Sequence, residues 1–238
     1  VPFNYLNVKR QAAIRLAQMK GSDASTLEAA YAGAWATALD GSEIPASGFK
    51  DLILMIAKEL AQVIGNNASH PARTFLYGRS VALANMASTP SVDNTNKEFI
   101  GVFDSCTDVA TDAPLTWVPT ETLADESDSF FNDTDLFNYN IHGNHVRHSR
   151  TTIYLEGCVW SESDQSTLYD ADGECPLPTV CENILVNGVC ANAGQVGWVD
   201  NASQIGQSQA LYQQGIQLLM SGMQGTNVPL ASTNTVAG

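Results

Sequence analysis

Apolar side chains recur at helical spacing from the first residues of the chain. Leu6, Ala13, Ile14 and Ala17 share one face between a capping Asn4 and a Gly21 stop, which predicts a helix ending at Lys20. Ser25 with Glu28 three positions on is a capping-box pattern, so a second helix is expected over 26–39, closed by Asp40-Gly41. Tyr31, Trp35 and Leu39 stand four apart along it. Ala29, Ala30, Gly33 and Ala34 would let a neighbouring helix approach closely. Ser47 opens a third helix, 48–64, in which Phe49, Leu52, Ile53, Ile56, Leu60, Val63 and Ile64 form a wide apolar face. A short helix is expected around 75–86, then a turn-rich link, STPSVDNTN.

At residue 98 the period changes. Phe99 to Cys106 is rich in β-formers, Asp112-Ala-Pro marks a loop, and a turn of helix is expected over 120–126. The run from Leu136 reaches Gly143-Asn144 and returns through His145 to Glu156, a hairpin pattern over 136–156 that Cys158-Val-Trp extends. The acidic stretch 161–176 reads as irregular. Thr179 with Glu182 then caps a helix over 180–193, and Asp200 opens a long one reaching about Met223. The last residues, 226–238, lack periodicity and are expected to form an extended tail. The fold class is therefore α+β. A helical-bundle body (1–97 and 177–225) carries an inserted antiparallel β-subdomain (98–176) and an extended C-terminal tail (226–238).

Length and composition sharpen this picture. With 238 residues and 44% hydrophobic content, the chain can bury a sizeable core as one large domain or two small ones. Its net charge of −14 is uneven. Residues 1–79 hold 8 Lys/Arg against 6 Asp/Glu, while residues 80–238 hold 3 against 19, and nothing basic follows Arg150. That disfavours binding to nucleic-acid phosphates or to anionic membrane, both of which need Lys and Arg. No window is long and apolar enough to span a bilayer, and the start VPFNYLNVKR lacks the apolar run of a signal peptide. The leading Val is read as following a removed initiator Met. Five cysteines without a C-x-x-C pair are expected to be free thiols packed as small hydrophobes, with Cys175 and Cys181 the one pair to test for a bridge.

Candidate chemistry is sparse. His142, His145 and His148 mimic a metal cluster, yet a two-residue turn sets the first two opposite one another. His148 then falls on the other face, so no metal is expected. Asp133-Thr-Asp135 and Asp170-Ala-Asp172-Gly-Glu174 are the densest acidic spots, and the second lacks the order of a calcium loop. No nucleophile elbow, phosphate loop or dinucleotide motif occurs, so no catalytic residue and no cofactor is assigned. Cys158 lies in acidic surroundings that favour packing over thiolate chemistry. Phe130-Phe131 and Val228-Pro229-Leu230 are apolar groups in acidic or extended surroundings, the best candidates for contact with another chain.

Several stretches, in order, are similar to head-to-tail adaptor (connector) proteins of tailed, especially short-tailed, bacteriophages. They are the N-terminal helices, His70-Pro-Ala-Arg-Thr-Phe75, Ile100-Gly-Val-Phe103, Pro114-Leu-Thr116, Glu156-Gly-Cys-Val-Trp160, Pro176-Leu-Pro178 and Gln209-Ala-Leu-Tyr-Gln-Gln-Gly215. The resemblance implies a non-catalytic virion protein, assembled in the host cytoplasm as a homo-oligomeric ring of commonly twelve subunits. Such a ring docks under the portal protein, meets tail or nozzle proteins, and surrounds a channel through which DNA passes without specific binding. No membrane is involved. Carboxylates repel phosphates over about a Debye length of 8–10 Å, so part of the acidic surface is expected to face that channel. The competing readings are a cement, decoration or tail component, a small hydrolase using carboxylates within 104–135, and a host-surface binding module built on the β-insertion.

Overall fold

The computed structural model describes residues 1–84, 87–88, 98–118, 138–142 and 145–221. The expected helix at 120–126, the Gly143-Asn144 turn and the tail 226–238 lie outside these residues. So do Asp133, Asp135, Phe130, Phe131, Val228, Pro229 and Leu230.

Strand β1 (Pro2–Asn4) leads into α1 (Tyr5–Lys20), where Asn4 accepts a hydrogen bond from the Leu6 amide and Gly21 ends the helix at φ 70°. The second expected helix is two helices, α2 (Ala24–Tyr31) and α3 (Trp35–Gly41). Gly33, at φ 88°, turns the chain between them and moves Trp35 off the line of Tyr31. The cap of α2 is Asp23, which accepts from the Thr26 amide, while Ser25 donates to that same carboxylate. Helix α4 (Ala46–Asn66) follows Pro45 at its N-cap, not Ser47, and buries the predicted apolar face from Phe49 to Ile64.

Beyond α4, the described part of the expected short helix at 75–86 is not helical. Pro71–Phe75 form a 3-10 turn, followed by strands β2 (Tyr77–Arg79) and β3 (Leu83–Ala84). Then come β4 (Ala87–Ser88), β5 (Glu98–Asp108), β6 (Thr116–Trp117), β7 (Asn138–His142), β8 (His145–His148) and β9 (Thr152–Trp160). The predicted pairing of β7 with β8 holds, His142 opposite His145, with β4 and β6 on the outer edges of this sheet. The return run does not continue as one strand. It breaks at 149–151, and β9 joins another sheet, flanked by β5 on one edge and by β2 and β3 on the other. Both neighbours cover β9, which removes it from the hairpin.

The stretch 161–176, expected to be irregular, forms a helix and part of a strand. Ser161 caps α5 (Glu162–Asp170) by accepting from the Asp164 amide, and β10 (Glu174–Pro178) pairs antiparallel with β1. Helices α6 (Val180–Gln195) and α7 (Ala202–Met220) complete the chain. Thr179 precedes α6 without capping it, its hydroxyl donating instead to the Val1 carbonyl, and Asn201, not Asp200, caps α7. The fold class is α+β, as expected.

Two apolar clusters form the interior. The larger joins α1, α3, α4 and α6 with Tyr169, Cys175 and Leu177, so the 162–178 segment packs into the helical body. The smaller holds Leu83, Cys106, Leu115, Tyr139, Val146, Ile153 and Leu155 within the β-region. Strand β9 belongs to both, giving Ile153 and Leu155 to one and Cys158 and Trp160 to the other.

All five cysteines are buried free thiols. Burial pushes Cys106, Cys175 and Cys190 up to about 12 and raises Cys158 and Cys181 as well. An aromatic disulfide reagent at pH 8 should therefore modify none of the five in the folded protein within minutes and all five in guanidinium, read as released thiolate absorbance.

Candidate functional site

Three of the stretches that carry the adaptor resemblance converge on one junction between the end of α4 and the β9 sheet. His70 begins it. Its Nδ1 accepts from the Ala72 amide, which leaves the ring neutral with its proton on Nε2, and burial together with the nearby Arg73 cation lowers its pKa. The cap shapes the 3-10 turn that aims Arg73 inward.

Arg73 is buried and ties three segments together. Its guanidinium donates to the Gly65 carbonyl, to the Val102 carbonyl at 2.8 Å and to Asp104 Oδ1 at 2.5 Å. The Cys158 thiol donates to the Arg73 carbonyl, while Gly101 lies against the backbone of Gly65 and Asn66. Three of the resembling stretches, His70–Phe75, Ile100–Phe103 and Glu156–Trp160, are thus parts of one joint.

Beside it, Glu156 is held on both oxygens. Arg79 donates to Oε1 through Nε at 3.0 Å and Nη2 at 2.6 Å, and Ser105 donates to Oε2 at 2.5 Å. Burial acts to raise the Glu156 pKa, but Ser105, Tyr77 and Arg79 outweigh it and hold the carboxyl below its ordinary range. The Thr111 hydroxyl does the same for Asp108 against burial, aided by Arg150. Groups of this kind stabilise the fold above their unfolded pKa, and that contribution is lost as pH falls through the folded value. The urea midpoint should therefore begin to fall below about pH 6.5, where His70 gains a proton more readily unfolded than folded, and fall more steeply below about pH 4 as the carboxylates protonate. Glu156→Gln should lower the midpoint at pH 7 and flatten the acid limb, measured by urea titrations from pH 7 to 3.

An open cleft of about 510 Å³ lies over the junction, lined by Ser69, His70, Arg73, Thr74, Tyr77 and Asp104 among others. Its charged groups are committed to one another, so the arrangement is suited to fixing the helical body on the sheet. Within the described part of the 104–135 range, Asp112 is exposed, Asp104 is paired with Arg73 and Asp108 with Arg150. Asp104 and Asp108 are thus held as ion-pair partners.

The charge division seen along the sequence is not a division in space. Cations from residues 1–79 pair with carboxylates from residues 98–172: Lys9 with Asp172, Lys50 with Asp170, Lys58 with Glu98 and Glu162, Arg73 with Asp104, Arg79 with Glu156. Lys9 is the most enclosed. Its ammonium reaches the Tyr169 carbonyl and Asp172, and lies 3.9 Å from the Tyr169 ring centre and 4.9 Å from that of Trp35. The acidic spot at 170–174 therefore serves to lock α5 onto α1 and α4. Sequence reasoning did not find these partners. The available signal was the surplus of cations in one segment facing a surplus of anions in the other.

His148 is buried and pairs with Tyr139, an odd step along β8 from His145. Among the described residues, no group of three or more His, Cys, Asp or Glu is placed to hold a metal ion, and no helix is long and apolar enough to cross a membrane. The proposed contact residues Phe130, Phe131, Val228, Pro229 and Leu230 are not among those brought to this site, since they lie outside the described residues. The chain matches no family model and no curated protein.

Proposed function

We propose that this chain is a structural, ring-forming virion protein of the head-to-tail adaptor type. Its copies join the portal to the tail and leave a channel for DNA. One observation carries the reading: three separated stretches that resemble adaptors meet in a single joint, the one organised by Arg73, where they act as packing and hydrogen-bonding positions. A protein that transmits load between head and tail needs such a fixed connection between its helical body and its sheet more than it needs a reactive cleft.

The charge fits the same role. The 11 basic residues are far fewer than the 25 acidic ones, so pairing leaves a carboxylate excess to keep DNA moving past a lumen. Purified protein alone and mixed with portal rings, examined by native mass spectrometry and electron microscopy, should give a closed ring and a ring-on-portal complex. A monomer at all concentrations that ignores the portal would overturn the reading, as would a ring whose lumen is lined by Lys and Arg with the carboxylates outside.

A further inference from the structure

We propose that the outward face of α7 is the surface on which a second copy of this chain seats. The inference deepens the ring reading by naming one side of the subunit contact. Past Glu182 the only charged residue is Asp200, so α7 carries no charged residue along its 19 positions, in a protein whose net charge is −14. An exposed helix of a soluble protein ordinarily carries charge on its solvent side. Depletion of charge from an exposed face is the compositional mark of a protein contact.

The packing of α7 shows which face is open. Ser208, Gly215 and Leu219 are buried, and Ile205, Tyr212 and Ile216 pack partly against the body. At 100° per residue the opposite side carries Ser203, Gly206, Ala210, Gln213, Gln214 and Gln217, all exposed, with Leu211 and Met220 exposed on the two flanks. A Cβ added at Gly206 would meet nothing within 4 Å. Packing within the subunit therefore does not require this glycine, which weakens an exposed helix.

Charge selects the occupant. Two copies, each at −14, repel wherever acidic surfaces are brought together, and like-charge opposition across an interface is strongly unfavourable. The α7 face lets one copy approach another without adding a carboxylate to the contact. Its glutamine amides both donate and accept, so they can satisfy whatever uncharged polar groups the neighbour presents. A cationic or nucleic-acid partner would find no countercharge here. The neutral surface fits a copy of the same anionic chain.

The test adds charge to that face without changing side-chain shape. Gln213→Glu/Gln217→Glu is compared with wild type and with Ser47→Glu/Gln62→Glu, which places the same two charges on exposed positions of α4. Sedimentation velocity across a concentration series reads association, and circular dichroism with thermal melting reads folding. We expect the α7 variant to melt as a folded protein while its association weakens by at least about a hundredfold, with the α4 variant associating like wild type. Gly206→Ala should raise the melting temperature of the subunit. Unchanged association of the α7 variant overturns the inference and leaves the ring reading standing, as does an equal loss in the α4 variant. Association through α7 that yields only open dimers with no portal binding supports the inference and removes the ring reading. A wild type that remains monomeric at every concentration overturns both.

Discussion

Gly101→Ala should abolish cooperative folding. Gly101 adopts φ 80°, a conformation that costs an L-residue about 1–2 kcal/mol, and it does so where β5 crosses the end of α4. A Cβ there would lie 2.1 Å from the Gly65 carbonyl carbon, 2.2 Å from its oxygen and 2.6 Å from the Asn66 nitrogen. These are backbone atoms, so no rotamer change relieves the clash. Either the last turn of α4 opens or β5 shifts on β9. Overpacking against side chains typically costs about 1–3 kcal/mol. Against the rigid Gly65–Asn66 peptide, with the left-handed penalty added, we expect a loss of at least about 4–5 kcal/mol, comparable with the whole stability of many domains. Gly21→Ala is the matched control. It has φ 70° and nothing within 4 Å of the added Cβ, so only the conformational cost of about 1 kcal/mol remains. Urea unfolding followed by circular dichroism separates the two, and a Gly101→Ala midpoint close to that of Gly21→Ala would falsify the close crossing.

The second large effect is expected at Arg73. Replacing it by alanine strands the Gly65 and Val102 carbonyls and leaves Asp104, whose side chain is 28% exposed, without its cation. Removing one member of a buried charged network costs about 3–5 kcal/mol, and that range is expected here. Arg73→Lys should recover only part of it, since one ammonium cannot serve three acceptors spread around a planar fork. Asp104→Asn should cost less, about 1–2 kcal/mol, because Arg73 keeps both carbonyls and can reach water on the Asp104 side. The expected order of urea midpoints is wild type, Asp104→Asn, Arg73→Lys, Arg73→Ala. An Arg73→Lys midpoint equal to that of wild type would show that the packing of the stem and the charge, and not the fork of hydrogen bonds, are what Arg73 supplies. Because Gly65 takes part in both contacts, effects at Arg73 and Gly101 should not add.

Much of the fold is legible one element at a time. The cap at Asn4, the stop at Gly21 and the apolar face of α4 are local signals, and the structure follows them. The errors arise where a local pattern has two continuations. Tyr31, Trp35 and Leu39 are spaced as one helix, but Gly33 permits the left-handed turn that divides it. This turn places Trp35 at a ring-centre distance of 6.1 Å from Phe49 and beside Lys9. The run from His145 to Glu156 is uniformly β-forming, yet its two halves take different partners. Strand propensity says that a segment pairs, not with what. In 162–178 the apolar spacing is too sparse to predict a helix, since α5 buries little beyond Gln165 and Tyr169. Its order comes from Ser161, the Lys50 and Lys58 pairs and the hydrogen bond from the Tyr5 hydroxyl to Gln165.

The sequence placed α1, α4, α6 and α7, the odd step that separates His148 from His145, and the burial of the cysteines. Each depends on periodicity or hydrophobicity over a few neighbouring residues. It also displayed the charge imbalance, but not its use. That Lys9, Lys50, Lys58, Arg73 and Arg79 reach across to Asp172, Asp170, Glu162, Asp104 and Glu156 was decided only in the tertiary structure, as was the meeting of Gly101 with Gly65. Charge attracts at a distance without specifying a partner, and a glycine permits close approach without naming what approaches. Only the packed backbone fixes which groups lie within hydrogen-bond reach.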